Sequence, residues 1–589
     1  MEYSAYEEAT VPICSFVLAN GKLNSKGYYF RLSDFKGGME IQKQKVLEAI
    51  DNKDCGFYYE ASTNDFAKIL GTPIAYWVNK QTVNIFKKTK IGAYMNCKSG
   101  IMTGSDDYIK LWFEPSVKKI KFDCKTYLDM NQYKWFPLNS GGGFRKWYGN
   151  NNKIVNLFNE GEEIKRNVKN YRLRDKKYYF KLGITWGRIT SSDIAFRDVV
   201  EGSLFGDAGP VGFIKDHKAY VLAFLNSSVT KYLLNVLNPT LNFQVHDITN
   251  LPIVICNEEL VEKICEKNVN ISKKDWDSFE TSWDFMLHPL TKYHVGTISE
   301  AYSLWDKESA DRFDQLKTNE EELNEIFIDI YGLHDELTPK VEDKDVTVRK
   351  ADLVRDIKSF ISYAVGCMFG RYSLNTEGLA YAGGDWDSSK YKTFIPDFDD
   401  IIPICDEEYF EDDIVRRFIE FIRCTYGEDT LDGNLQFISD ALGGNGNPRD
   451  VLRDYFIKDF YANHCKIYQK RPIYWLFDSG KKNGFKALVY IHRYTPDLIA
   501  RMRTGYIHPL QSQYRTQIEM LNNQIDEASS TSEKVKLKKQ LKKITEQAEE
   551  LGKYEEKIHH WADKMEPMDL DDGVKVNYAK FQELLAKIK

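Results

Sequence analysis

Basic, hydroxyl and glycine residues cluster in three short segments of the chain, at residues 98–107 (KSGIMTGSDD), 139–149 (NSGGGFRKWYG) and 185–197 (TWGRITSSDIAFR). Glycines let a backbone approach a ligand closely and expose its N–H groups, while arginine and lysine supply charge for phosphates. Arginine is also the usual bidentate reader of guanine. Each segment taken alone is also typical of a glycine-rich turn with ordinary surface charges. Together they predict a surface that binds phosphates and base edges.

Charge is distributed unevenly along the 589 residues. Residues 81–200 hold 23 Lys+Arg against 11 Asp+Glu, a balance of +12, whereas residues 321–420 hold 11 against 24, a balance of −13. The overall formal charge of −6 therefore hides a basic module on an acidic chain, which indicates a localised surface for a polyanion. Double-stranded DNA is the polyanion that the basic module and the three segments fit best. RNA is less well supported because no RNP-like aromatic signature occurs.

Motifs for catalysis are absent from the sequence, which contains no Walker A motif, no GxGxxG after a strand, no HExxH and no GxSxG. No two prolines are adjacent, so the Asn-Pro-Pro-Tyr tetrapeptide of amino-group DNA methyltransferases cannot occur. The neighbouring His559 and His560 lie in a charged helical stretch and fit a solvated helix face better than a metal site. We therefore assign no catalytic, cofactor-binding or metal-ligating residue to this chain.

Composition indicates a globular protein, with 42% hydrophobic and 29% charged residues. The ten cysteines form no CxxC pair, so we expect neither a zinc ribbon nor a disulfide framework, and a reducing cytoplasm is the natural location. No apolar run approaches the roughly 18–20 residues of a membrane span. The acidic N-terminal segment does not resemble a secretory signal. We expect a cytoplasmic protein without a membrane partner.

Two apolar strands joined by a turn are predicted near the N-terminus, at residues 11–18 and 27–32. An isolated hairpin is marginal in water, and a flat apolar edge invites aggregation. We therefore expect this hairpin to be the edge of a sheet whose other strands come from upstream sequence or from another chain. Helices are predicted at 38–53 and from Asn64-Asp65 onwards, with Asn or Asp as the N-cap.

Residues 74–255 alternate short β-like runs with glycine-rich breaks, and 219–237 is predicted to be one apolar helix that ends before Pro239. Helical periodicity with acidic faces dominates residues 256–370. A strand hairpin is predicted at 471–494, with its turn at 481–484. Residues 510–562 have the strongest periodicity, and Ser530 followed by Glu533 fits a capping box. We expect an antiparallel helical hairpin there, which serves as a spacer or docking arm.

Several of these segments, in this order, resemble the PglX family, the adenine-specific DNA methyltransferases of BREX phage-defence systems. The N-terminal EEATVPICSFVL and GYYFRL are similar to the last strands of the family's methyltransferase sheet. The runs GIMTGSDDYIKLWFEP, KWFPLNSGGGFRKWYGN, ITWGRITSSDIAFR and LAFLNSSVTKYLLNVLNPTLNFQVHDITNLPI resemble its target-recognition domain. The last of these is also similar to type I specificity subunits and type IIG enzymes. ALGGNGNPRDVLRDYF, FYANHCKIYQKRPIYWLFDSGKKNGFKALVYIHRY and MDLDDGVKVNYAKFQELLAKIK resemble PglX specifically.

The resemblance covers nearly this whole chain but about the C-terminal half of the family's usual length. It implies DNA recognition for N6-adenine methylation, which uses S-adenosylmethionine, and partnership with other BREX proteins. The family's catalytic residues have no counterpart here, so we expect this chain to bind DNA without methylating it. The methyltransferase domain would be deleted in cis or supplied in trans. The residues expected at DNA are Lys98, Thr103, Gly142, Gly143, Arg145, Lys146, Trp147, Arg188, Ser191, Arg197 and Gln244.

The expected fold class is α+β and multidomain. The predicted order is terminal methyltransferase strands (1–45), a mixed target-recognition domain (46–255), a helical spacer (256–370), a mainly helical domain (371–509), the helical hairpin (510–565) and a tail (566–589). Three other functions stay open. The chain could be a specificity subunit of a type I-like or type IIG enzyme, although a type I subunit would carry two recognition modules. It could also be an interaction scaffold of a defence complex, or a nuclease or methyltransferase with a divergent site.

Overall fold

The computed structural model describes residues 14–20, 26–35, 38–69, 71–190, 193–238 and 240–588. Helices and small sheets alternate within these ranges, which confirms the predicted α+β, multidomain class. The strands are β1 (Gly27–Phe30), β2 (Tyr58–Ala61), β3 (Met95–Lys98), β4 (Ile109–Leu111), β5 (Trp135–Asn139), β6 (Lys153–Asn156), β7 (Gly183–Trp186), β8 (Phe196–Asp198), β9 (Leu204–Phe205), β10 (Val211–Ile214), β11 (Ile402–Pro403), β12 (Tyr474–Asp478) and β13 (Lys486–Tyr490).

The α-helices of the described ranges are longest toward the C-terminus. They are α1 (Gly38–Asp51), α2 (Thr63–Phe66), α3 (Lys80–Ile85), α4 (Glu162–Asn167), α5 (Lys218–Leu225), α6 (Ser228–Leu237), α7 (Val245–Thr249), α8 (Glu258–Trp276), α9 (Ile298–Tyr331), α10 (Leu353–Met368), α11 (Ile414–Tyr426), α12 (Leu431–Ala441), α13 (Pro448–Lys458), α14 (Phe460–Ile467), α15 (Leu498–Met502), α16 (His508–Glu527), α17 (Thr531–Lys564) and α18 (Gly573–Lys580). In these ranges, no helix has the length and hydropathy of a membrane span.

Two four-stranded sheets build the segment that the sequence predicts to be the recognition domain. Their strand orders are β3-β10-β7-β8 and β4-β6-β5-β9. Neighbouring strands are antiparallel except β5 and β9, where Leu138 lies opposite Leu204 in a parallel register. A separate three-stranded sheet, β11-β13-β12, lies in the C-terminal part and contains the predicted hairpin. The 471–494 prediction is thereby confirmed.

Three clusters of buried apolar side chains hold these elements together. The largest joins Trp112, Trp135 and Ile154 of the recognition segment to α10–α18. The second joins the β3-β10-β7-β8 sheet to α5, α6, α8 and the later half of α9, and the third lies within residues 101–213. Residues 256–370 share the first two clusters, because Trp305 packs in the first and Phe327 in the second. The domain boundaries given above stay predictions.

The N-terminal hairpin differs from the prediction. β1 pairs in antiparallel register with β2, with Tyr29 opposite Tyr59, and not with residues 14–18. Residues 11–13 lie outside the described residues, and residues 14–18 are exposed and form no strand. We attribute the pairing of β1 with β2 to the tyrosines of both strands, because aromatic pairs across neighbouring strands are favourable. α1 confirms the helix predicted at 38–53, whereas the cap of α2 is Ser62, whose side chain accepts from the N–H of Asn64.

Serine N-caps explain where helices begin in the other two segments predicted to be helical, residues 219–237 and the helical hairpin. The apolar stretch predicted as one helix at 219–237 is two helices, α5 and α6, because Ser227 caps α6 by accepting from the N–H of Thr230. The helical hairpin is confirmed, with α16 and α17 packed against each other and Ser530 accepting from the N–H of Glu533. Serine satisfies an N–H that the first helical turn leaves free, which fixes where each helix begins.

Candidate nucleic-acid interface

Arg145, which we expected at DNA, lies inside the protein with 8% of its surface exposed. Its guanidinium donates to Asp275 Oδ2 at 2.8 Å and to the Thr347 carbonyl at 3.1 Å. Its Nε donates to the Tyr148 carbonyl at 2.8 Å. Burial by itself would raise the pKa of Asp275, but Arg349 and Arg145 together hold that pKa below its usual value. Arg145 therefore joins the glycine-rich loop to α8 through a buried ion pair.

Lys146 and Trp147 make the same kind of contact with α9. Lys146 Nζ lies 2.7 Å from one carboxylate oxygen of Glu320, and Trp147 Nε1 donates to the other at 2.7 Å. Glu320 is 3% exposed and Trp147 is 1% exposed. A buried carboxylate needs such partners because its desolvation is costly. Both side chains thus attach the loop to α9.

Arg197 is buried under the same loop. It donates to the carbonyls of Arg145 at 3.2 Å and Gly141 at 3.1 Å. Burial and then the nearby Arg145 charge lower the pKa of Arg197 to about 10. Arg145, Trp147 and Arg197 are buried and Lys146 is paired with Glu320, so we do not include these four residues in the proposed interface. That they contact DNA stays a prediction. Asp275 and Glu320 lie more than a hundred residues away from Arg145 and Lys146 in sequence, and this distance hid the two ion pairs.

The glycine-rich loop itself packs closely against its neighbours. Gly141 has φ +72, and a Cβ there would lie 2.7 Å from the Ala208 carbonyl oxygen. Gly142, with φ +115, and Gly143 are exposed at the apex, where Asn150 donates to the Gly143 carbonyl at 2.9 Å. The apex is therefore exposed, and that Gly142 and Gly143 contact DNA stays a prediction.

An open cleft of 810 Å³ brings the three predicted segments together. Thr103, Ser140 and Arg188 line it, one from each segment, and we call it the central cleft. Residues far away in sequence close its other side, at positions 469–471 and 575–576. Its basic residues are Lys110, Lys153, Arg188, Arg471 and Lys575, and its acidic residues are Asp106, Asp107, Glu114 and Asp207.

The charges in the central cleft differ in how firmly they are held. Arg188 forms an ion pair with Asp207, which also accepts from Arg172 at 2.8 Å. Lys153 donates to the hydroxyl of Ser140 at 3.2 Å. Lys575 is exposed on α18. Because a hydroxyl competes weakly for an ammonium group, Lys153 and Lys575 are the cleft cations that can most readily exchange their surroundings for a phosphate.

Two buried carboxylates hold the C-terminal residues that line the cleft against the β4-β6-β5-β9 sheet. Glu114 accepts from the N–H of Leu111 and of Val574, each at 2.8 Å. Asp571 accepts from Lys119 at 2.7 Å and from Trp135 Nε1 at 3.0 Å. Burial would raise the pKa of Asp571, but these bonds hold it below its usual value. The start of α18, and with it Lys575, is therefore held at a defined place beside the cleft.

A basic strip borders the same cleft and was not singled out from the sequence. Residues 165–177 (KRNVKNYRLRDKK) hold seven basic residues and one acid, and most are exposed. The strip lies against the first predicted segment, because Arg172 pairs with Met102 through the backbone and Arg174 donates to the Gly100 carbonyl at 3.0 Å. Its charge run was a detectable signal, whereas nothing local marked Arg471 or Lys575 as cleft residues.

The other predicted residues that the structure describes make contacts of their own. Lys98 Nζ lies 5.7 Å from the ring of Tyr178, at the end of the basic strip. Thr103 is buried and donates to the Ser105 carbonyl at 2.8 Å. Gln244 caps α7, and its Nε2 donates to Asn242 at 2.8 Å. Ser191 lies outside the described residues. The prediction that these residues contact DNA stays a prediction.

Groups that could hold a cation occur elsewhere. In the described ranges, three sets of His and acidic residues bring ligand atoms within 4.8 Å of one another: His217/Glu258/Glu262, Glu325/Asp329/His334 and Asp397/Asp399/Asp412. None of the nine lines the central cleft. Burial, and then the neighbouring Asp399 charge, raise the pKa of Asp397 to about 7. Acidic groups of this kind are common without a metal, and we assign none.

Comparison with known proteins finds two similar proteins, both named adenine-specific methyltransferases. No protein-family model matches it. It is 43% identical over 602 residues to the adenine-specific methyltransferase PglX of Lacticaseibacillus casei (strain Zhang), covering 98% of this chain and 50% of that protein. It is 36% identical over 609 residues to the adenine-specific methyltransferase BrxX of Escherichia coli O9:H4 (strain HS), covering 96% of this chain and 49% of that protein. The chain is therefore PglX-like along nearly its whole length, and it spans about half the length of the curated relatives that it matches.

Proposed function

We propose that this chain recognises DNA for an adenine-specific methyltransferase of the BREX type, and that the central cleft and the basic strip hold the duplex. The observation that carries this proposal is the convergence of Thr103, Ser140 and Arg188, one from each predicted segment, on one open cleft. Lysine and arginine at phosphates supply the sequence-independent part of DNA binding, and polar groups at base edges supply specificity. The basic strip and the lysines of the cleft suit the first role, and the polar groups of the cleft suit the second.

Methylation itself belongs to the larger protein in this proposal. Both relatives are named adenine-specific methyltransferases, and each is about twice as long as this chain. We propose that the part this chain does not span, in cis or in trans, binds S-adenosylmethionine and accepts an adenine flipped out of the duplex. We assign no residue here to that cofactor. Association with other BREX proteins, phage defence and a cytoplasmic location belong to the same proposal.

Salt-dependent binding of the chain to DNA tests the proposal. The probe is a labelled duplex of about 40 base pairs, followed by fluorescence polarisation between about 50 and 200 mM salt. The cleft variant is Lys153→Gln/Lys575→Gln, and the matched control is Lys553→Gln/Lys557→Gln on the exposed side of α17. If both cleft lysines contact phosphates, the slope of log K against log salt should become shallower by about 1.8, and the control should keep the wild-type slope.

Two results would contradict this function. Absence of binding by the wild-type chain at low salt would leave DNA recognition unsupported and would favour an interaction scaffold. An unchanged slope in the cleft variant would place the DNA somewhere other than the cleft. A parallel reaction with labelled S-adenosylmethionine should show no methyl transfer by this chain alone. Transfer would mean that the chain contains an active site of its own.

A further inference from the structure

The outer part of the helical hairpin stands clear of the rest of the protein. Residues 522–546, which include the end of α16 and the start of α17, contain no buried residue, and all of them are described. In the described part of the chain, the bonds to the body nearest the end of the hairpin are three. Tyr409 donates to Gln517 Oε1 at 3.1 Å, Lys543 pairs with Asp406 at 2.5 Å, and Lys482 of the body pairs with Glu546 at 2.8 Å. At about 1.5 Å per residue, residues 522–542, which we call the tip, extend roughly 15 Å beyond these contacts.

One face of this tip is strongly basic. Residues 534–543 (KVKLKKQLKK) hold six lysines and no acid. At about 100° per residue, the lysines fall within roughly 200° of the circumference of α17, opposite the side that carries Leu537, Leu541 and Ile544. Among the described residues, Lys543 is the one of the six that lies within 4 Å of a carboxylate. Such a concentration of like charge destabilises an isolated helix, because lysines three or four residues apart repel one another.

We propose that this lysine face, residues 534–543, is a second docking surface for the phosphate backbone of duplex DNA, separate from the central cleft. The inference rests on the proposed function and extends it, because it assigns sequence-independent affinity to the arm and leaves target reading to the cleft. From residue 534 to residue 543, α17 rises by about 14 Å, and a duplex presents roughly eight phosphate charges over that length. A polyanion of this charge density relieves the repulsion among the lysines.

The chemistry of the face favours a nucleic acid backbone over other polyanions. Lysine acts as a compact point charge suited to phosphates without a required geometry. An amphipathic helix that lies in a membrane interface buries large apolar groups beside its charges. Val535 is the one large hydrophobic residue that is strongly exposed within residues 534–543. An acidic protein surface is the remaining alternative, and a polyglutamate probe distinguishes it.

The test compares two lysine pairs with the same spacing on the same helix. Lys538→Gln/Lys542→Gln alters the basic face, and Lys553→Gln/Lys557→Gln is the matched control, since all four side chains are exposed. Glutamine has nearly the helix propensity of lysine, so the helix should be retained. The measurement is binding of the whole chain to a labelled duplex of about 40 base pairs across a salt series, with a labelled polyglutamate peptide as a second probe.

We expect the slope of log K against log salt to become shallower by about 1.8 in Lys538→Gln/Lys542→Gln, which corresponds to roughly 60-fold weaker binding at about 0.1 M salt. The control should bind like wild type. An unchanged slope would overturn the proposal, and lost polyglutamate binding in the same variant would then assign the face to an acidic protein. If the cleft variant binds normally while the arm variant does not, the arm proposal stands and the cleft proposal fails.

Discussion

Removing the charge of Arg145 should loosen the packing of the glycine-rich loop, residues 141–149, against α8. We expect DNA contacts to stay unchanged. In Arg145→Met, Asp275 loses its 2.8 Å partner while it is 1% exposed, and the carbonyls of Tyr148 and Thr347 lose their donors. Breaking one side of a buried ion pair typically costs about 3–5 kcal/mol. Because Arg349 Nε still lies 3.6 Å from Asp275, we expect the lower end, about 3 kcal/mol.

Hydrogen exchange is the suitable assay, since a chain with three apolar clusters is not expected to unfold in one step. A loss of about 3 kcal/mol in the free energy of local opening accelerates exchange roughly 100-fold, at 1.4 kcal/mol per tenfold. The acceleration should appear at residues 141–149, 272–276 and 345–349. The double variant Arg145→Met/Asp275→Asn removes the buried carboxylate that Arg145→Met leaves without its closest partner, so part of the protection should return.

One combination of results would refute this reasoning. If Arg145→Met leaves exchange near wild type and abolishes DNA binding, then Arg145 contacts DNA and the buried ion pair is unimportant for stability. The salt series with the labelled duplex gives the second readout. We expect its slope in Arg145→Met to equal that of wild type, because the guanidinium is not presented to solvent.

Three further predictions concern stability. The pKa of Asp397 is about 7 in the folded protein against an ordinary value of 3.8, so the folded state binds the extra proton and stability should fall as pH rises from about 4 through 7. Asp397→Asn should flatten that dependence in thermal unfolding between pH 5 and 8, and an unchanged profile would contradict it. Gly100→Ala places a Cβ against the Phe205 carbonyl oxygen and should destabilise the chain by about 1–3 kcal/mol, seen as earlier proteolysis of the cleft wall. Ser530→Ala removes the cap of α17 and should cost about 1 kcal/mol of local protection at residues 531–535, without altering exchange at the cleft.

Elements governed by local patterns were predictable. The helical hairpin follows from apolar spacing over α16 and α17 and from the Ser530 cap, and the β12–β13 hairpin follows from a turn between two apolar runs. Continuous hydrophobicity predicts one helix for the apolar stretch 219–237, whereas the structure contains two. Its break at Ser227 depends on a single side-chain hydrogen bond that periodicity does not register.

By itself, the sequence determined that a basic, glycine-interrupted module and a lysine-rich helical hairpin occur on an acidic chain, because charge and periodicity are properties of neighbouring residues. Only the tertiary structure decided which basic residues face solvent. Arg145 and Arg188 lie in similar glycine-rich segments, yet the fold brings Asp275 of α8 to the first and leaves the second in an open cleft. The bond between Arg145 and Asp275 joins residues that are far apart in sequence, so it exists only once the chain is folded, and a buried charge needs such a partner.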